Sequence, residues 1–274
     1  MFRVIPDGKD YIFEIRSEPP LIYLDHWALR LFSSNSRLRV RFFESFRTRG
    51  TLMFSLMNIA EIAANTLERT ADELRAFLRD VGPHWIPSTI DPMHIIEVEQ
   101  GAAADVHPCI SEGFLREPKF AKRLVAGDVT LASVVDLTRG EEGEENVQST
   151  SEKAKELLGN LVKWRALHAE NPKAVDRAYP RLPFDDKQPM QMIYNGLARS
   201  CIAQQFNLNE NHVRDLYHTA CAVRCADMVL LDSHWLELVR QLKLPTSFVL
   251  VYGRDDVDQF LDDLTNKFNP VRET

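Results

Sequence analysis

The chain has 274 residues, of which 45% are hydrophobic and 27% charged, the balance of an ordinary globular protein with enough chain for a sizeable core. Its 40 acidic residues against 33 basic ones give a net charge of −7, which argues against a protein that grips nucleic acid through a broad basic face. An enzyme whose acids surround a metal ion stays open, because the ion's own charge inverts the local balance.

Two short strands, 2–5 and 11–15, flank the turn Pro6-Asp7-Gly8-Lys9. After Pro19-Pro20, the apolar run Leu21-Ile22-Tyr23-Leu24 reads as a buried strand that ends at Asp25. A helix follows from His26, and a second, arginine-rich one over 36–49 is stopped by Gly50. Residues 51–56 read as a buried strand and 58–80 as a long amphipathic helix ended by Gly82-Pro83. Trp85-Ile86-Pro87 is a candidate short strand, and 91–178 is expected to be mostly helical. Within it, GEEGEENVQSTS at 140–151 is acidic, small and polar, and is expected to be a mobile loop before a helix over 152–170.

A proline-studded stretch, 171–189, leads to a more regular last third. Helices are expected at 191–205, 211–224, 233–242 and 255–268, with strands at 228–231 and 247–252. Strands alternating with helices predict an α/β fold with a parallel or mostly parallel sheet flanked by helices. The unalternating runs LIYL, MVLL and FVLV suit strands buried on both faces. A single domain over 1–274 is expected, with 83–189 as a large helical insertion or cap.

Ligands of open α/β sheets bind outside the carboxyl ends of the strands. Asp25 and Asp232 directly follow two of the buried runs, so both should leave the same sheet edge. Glu61 starts the helix after the second buried strand, and Asp215 lies early in the helix leading to Asp232. Singly, each acid reads as well as a helix cap or a partner of a helix dipole. Together they form a site whose mutual repulsion Mg2+ or Mn2+ would relieve. Such an ion activates water and stabilises charge on a phosphate.

These residues resemble the PIN-domain family of metal-dependent nucleases. The resemblance rests on LIYLD at 21–25, on Ser55-Leu56-Met57-Asn58-Ile59-Ala60-Glu61, and above all on DLYHTACAVRCADMVLLDSHW at 215–235. It covers 22–67 and 211–251 and implies a PIN-like sheet between helices. It implies an endoribonuclease that hydrolyses phosphodiester bonds, with Asp25, Glu61, Asp215 and Asp232 as the catalytic set and Asp25, Asp215 and Asp232 as metal ligands. Asp227 becomes a supporting or merely structural acid. Ser233 stands in for the hydroxyl the family carries two positions before the last acid, where this chain has Leu230. RNA is the implied substrate, and an antitoxin or another protein the implied partner, because many small members are toxins of toxin–antitoxin pairs. A homodimer stays open. An inactive PIN-like binding module that docks a protein partner is the alternative, favoured by the net charge and by Leu230.

Other groups carry weaker signals. His218, Cys221 and Cys225 share a helix face, a poor zinc pattern that suits small core cysteines better. His218, one turn beyond Asp215, is a candidate to support the acidic site. Arg37, Arg39 and Arg41 are candidates to hold the RNA backbone, while Phe42, Phe43 and Phe46 among them should pack inward. No apolar run is long enough to span a bilayer, and the opening MFRVIPDGKDYIFEI lacks signal-peptide features, so a cytoplasmic location without membrane contact is expected. The four cysteines form no CxxC pair, which fits a reducing compartment.

Overall fold

The computed structural model describes residues 2–7, 10–47, 50–55, 57–59, 62, 68–102, 107–111, 127–137, 141–204 and 206–267. Glu61 lies outside them. In chain order the elements are strands β1 (Phe2–Asp7), β2 (Asp10–Ile15) and β3 (Leu21–Leu24), helices α1 (His26–Ser34) and α2 (Ser36–Phe46), and strand β4 (Thr51–Ser55). Helix α3 (Glu68–Val81), strand β5 (Trp85–Ser88), helix α4 (Pro92–Glu99), strand β6 (Gly127–Asp128) and helix α5 (Leu131–Leu137) follow. Then come α6 (Glu141–Glu170), α7 (Pro172–Ala178), α8 (Pro189–Ala203) and α9 (Glu210–Cys225). The chain closes through β7 (Met228–Leu230), α10 (Ser233–Gln241), β8 (Leu250–Tyr252), a 3-10 turn (Arg254–Asp256) and α11 (Val257–Asn266).

Five strands form an all-parallel sheet in the order β5-β4-β3-β7-β8, and β2-β1-β6 form a small antiparallel one. The period of two along each strand sends alternate residues to opposite faces. Ile22, Leu24, Leu52, Phe54, Met228 and Leu230 enter one core, where α1, α2, α3, α5 and α11 pack. Tyr23, Met53, Ile86, Val229 and Leu231 enter the other, built with α4 and with α6 through α10. Both faces are therefore dry, which is why the strands read as unbroken apolar runs.

The arginine-rich helix α2 turns its phenylalanines inward, as expected. Phe42 packs on Phe32, Phe46 and Phe77 at ring distances of 5.1, 5.0 and 5.8 Å. Gly50 ends this segment with φ of +123°, and a Cβ there would stand 3.0 Å from the Phe46 ring. The position thus needs glycine for conformation and for room.

Several expectations change. The segment expected as a mobile loop at 140–151 is helical from Glu141, the first stretch of the 30-residue helix α6. Its glutamates are good helix formers, and acidic residues suit a helix amino end. Strand β8 is shorter than expected, since 246–248 form a turn. Strand β5 is the sheet's edge and pairs with β4, although the sequence reading put it inside the 83–189 segment. Cys109 and Cys225 are joined by a disulfide across 116 residues, contrary to the reading of a cysteine set suited to a reducing compartment. Such a pairing depends on where the fold brings two distant segments, which spacing does not encode. Among the described residues, no helix is long and apolar enough to cross a membrane.

Candidate active site

Strand β3 is the first of the sheet, with β4 and β5 added on one side and β7 and β8 on the other. The chain's winding reverses between β3 and β7, and a crevice at such a switch point is where open α/β sheets bind ligands. Asp25 stands at the carboxyl end of β3 and Asp232 beside it, after β7. Register enforces this neighbourhood, because Leu24 pairs with Leu230 and the Asp25 N–H donates to the Leu230 carbonyl at 3.0 Å.

The two acids are linked directly. Asp25 Oδ2 accepts from the Asp232 N–H at 3.2 Å, and Asp25 Oδ1 accepts from the His26 N–H at 2.6 Å. Asp232 Oδ1 accepts from the Trp235 N–H at 3.0 Å and caps α10, as Asp25 caps α1. The capping reading therefore holds for both. It leaves Asp232 Oδ2 without a hydrogen bond among the described residues. Burial pushes the Asp25 carboxyl up to about 6, with the Asp232 charge adding to the rise and the His26 N–H and Arg254 opposing it. A carboxylate held in this way gains from a nearby cation.

The other expected site residues fall in different places. Asp215 is half-buried on the first half of α9, and Glu61 lies outside the described residues. Among the described residues, no three His, Cys, Asp or Glu side chains meet in a group that could hold a metal ion. Asp25 and Asp232 thus supply two oxygen donors of the right chemistry. Asp227 clamps the opposite edge of the sheet: its Oδ2 accepts from the Leu21 N–H at 2.7 Å, and its N–H donates to the Leu21 carbonyl at 2.8 Å. Of the two roles considered for it, the structural one is observed. Ser233 is exposed at the start of α10.

His218 is buried, with Nδ1 at 3.2 Å from the Tyr23 hydroxyl and 3.1 Å from Asn58 Nδ2. Its neighbour Cys225 is in the disulfide, and burial lifts the Cys221 thiol well above its usual range, so the weak zinc pattern dissolves. Arg39 is ion-paired with Asp80 at 2.6 Å, and Arg41 with Asp258 and Asp262. Arg37 is exposed on α2.

Sequence reasoning missed Arg254, His212 and His234 near the acids. Arg254 lies over the Trp27 ring at 5.3 Å and within electrostatic reach of Asp25. His212 and His234 flank Phe206, each at a ring distance of 4.9 Å, and His212 senses the Asp232 charge. Burial lowers the His212 pKa, its largest cause, with His234 adding to the fall. His234 directly follows Ser233 in the quoted motif, but only the crossing of α9 and α10 places His212 near it.

The fold and site define an α/β protein with two carboxylates at the switch point of a parallel sheet. No family model, curated protein or solved structure matches the chain.

Proposed function

We propose that the chain is a metal-dependent endoribonuclease of PIN-like architecture. The observation that carries this reading is the direct contact of Asp25 with Asp232 at the β3–β7 switch point. Asp25 and Asp232 would hold Mg2+ or Mn2+, with Asp215 and Glu61 completing the set. The ion supplies an activated water and neutralises charge on the phosphate. The chain's own residues orient the RNA, and Arg254, exposed beside Asp25, is better placed to meet a phosphate than Arg39 and Arg41, whose guanidiniums are held by acids. The helices after β5 would form the cap, and an antitoxin is the partner expected of a toxin.

A second reading, the inactive binding module, draws on one observation: both acids already cap helices. Titrating Mn2+ into wild type, Asp25→Asn and Asp232→Asn separates the two. Saturable binding that both substitutions abolish supports the nuclease. Wild-type protein that binds no Mn2+, alone or with single-stranded RNA, leaves the binding module.

A further inference from the structure

A cavity of about 410 Å³ follows one face of α8, bounded by the end of α6, the segment after α7 and the end of α10. Its volume lies within the range of roughly 300–1,000 Å³ usual for small-molecule sites. Met192, Gly196, Ser200 and Ala203 line it from α8, at the three- and four-residue spacing that keeps side chains on one helix face. Val175, Leu182 and Leu242 add aliphatic walls. Leu182 stays 37% exposed, so apolar surface is left to water here.

The charge of this cavity is one-sided. Its described lining residues include Arg181 and Arg199 but no Asp or Glu, although the chain carries a net charge of −7. Arg199 is committed: its guanidinium pairs with Asp176 at 2.6 Å and donates to the Tyr179 carbonyl at 2.9 Å. Gln241, another lining residue, donates to Glu237 at 3.2 Å. Both carboxylates bonded to the lining are therefore already engaged. Arg181 is exposed and has no ion pair or hydrogen bond among the described residues. An arginine in water needs no partner, but this one stands at a cavity with aliphatic walls. Its planar fork of N–H donors matches the oxygens of a carboxylate or a phosphate.

We propose that this cavity binds a small aliphatic anion, a carboxylate or a phosphate monoester. Its head group meets Arg181, and its hydrocarbon body lies along Leu182, Met192 and Leu242. No Phe, Tyr or Trp is among the described lining residues, so a nucleobase would find no ring to stack on. Each methylene buried on the aliphatic wall should tighten binding by about fourfold. The site does not depend on the nuclease reading. Asp232 stands at the start of α10 and Gln241 at its end, so the acid pair and this cavity sit at opposite ends of one helix, about 13 Å apart.

The test is calorimetric titration of octanoate and of octyl phosphate, each below its micelle concentration. Acetate and inorganic phosphate serve as head groups without a tail, and octanol as a tail without charge. Wild type should bind at least one of the two anions one-to-one, and more tightly than every control. Which anion binds identifies the head group, and its six-carbon counterpart should bind roughly tenfold more weakly. Arg181→Gln, at an exposed position, should weaken binding about tenfold or more with the melting transition unchanged. Ala203→Trp, also at an exposed position, should fill the cavity and weaken binding to a similar degree. Met192→Trp fills it from the middle of α8 and repeats the test if the first filled variant does not fold. Absence of one-to-one binding by both anions, equal binding of octanol, or wild-type affinity in folded Arg181→Gln or a folded filled variant overturns the proposal.

Discussion

The Asp25 side chain holds the backbone N–H of Asp232 at 3.2 Å, so one acid of the candidate site positions the other. Burial is the main reason the Asp25 pKa rises from 3.8 to about 6, and the bond from the Asp232 N–H works against that rise. The folded state therefore keeps the proton longer than the unfolded chain does. Stability falls as pH rises from about 4 to about 6, and the cost is in full force above that window. Asp25→Asn retains capping ability and should stabilise the metal-free protein at pH 7.5 by about 1–2 kcal/mol, after allowance for solvent screening. A melting temperature higher by a few degrees at pH 7.5 but not at pH 4 is the expected result. Mn2+ should raise the melting temperature of wild type and leave that of the variant unmoved.

His218 carries the opposite sign. Burial lowers its pKa from 6.5 to about 4, so the folded protein resists a protonation the unfolded chain accepts. Its contribution to stability is present above about 6.5 and is lost as pH falls toward about 4. Asn58 Nδ2 donates to its Nδ1, so nitrogen-detected NMR of the imidazoles should show one ring with its proton on Nε2, neutral at pH 5. An imidazolium spectrum for His218 at that pH would refute the assignment.

The bridge between Cys109 and Cys225 leaves Cys201 and Cys221 as buried thiols. Thiol counting on the denatured, unreduced protein should return two groups rather than four. A Cys109→Ser/Cys225→Ser double variant should lose roughly 2–4 kcal/mol, in keeping with the long loop the bridge closes.

Glu99 makes a part-buried ion pair with Arg224, and its Oε2 accepts from the Met190 N–H at 3.1 Å. It thus pins α4 to the ends of α8 and α9. Glu99→Ala removes one partner and leaves a half-buried guanidinium unpaired, which should cost about 1–3 kcal/mol, less than breaking a fully buried pair. Chemical denaturation of the variant checks this, and a loss under 1 kcal/mol would contradict it.

The arginines divide by their partners. Arg254→Ala should weaken binding of single-stranded RNA and reduce the salt slope of the affinity by about one. Arg39→Ala and Arg41→Ala should leave RNA affinity near wild type, because acids already hold their guanidiniums. The reverse pattern would return the substrate route to α2.

Much of the central sheet was legible because LIYL and MVLL are too apolar and too short to be anything but strands buried on both faces. Their terminal acids were legible for the same reason, since an Asp after a buried strand stands at its carboxyl edge. Strand β6 was not legible, because two residues of ladder leave no pattern. The Asp227 clamp, the bridge and the His212–His234 approach were hidden too. Each depends on which distant segments the fold brings together, and local periodicity carries no record of that. The arginines of α2 misled because a basic run looks alike whether its partners are phosphates or the acids of α3 and α11.

The strand order has a consequence for how the chain is made. Leu21 and Asp227, joined by a hydrogen bond at the β3–β7 seam, are 206 residues apart in sequence. During synthesis β3 can pair early with β4, and β4 with β5, yet the other edge of β3 must wait until the last quarter of the chain has left the ribosome. An apolar, unpaired strand edge invites pairing with other chains, and contacts so distant in sequence form slowly. Nascent or truncated products that stop before residue 228 would therefore depend on chaperones, and the completed seam is the step that releases them.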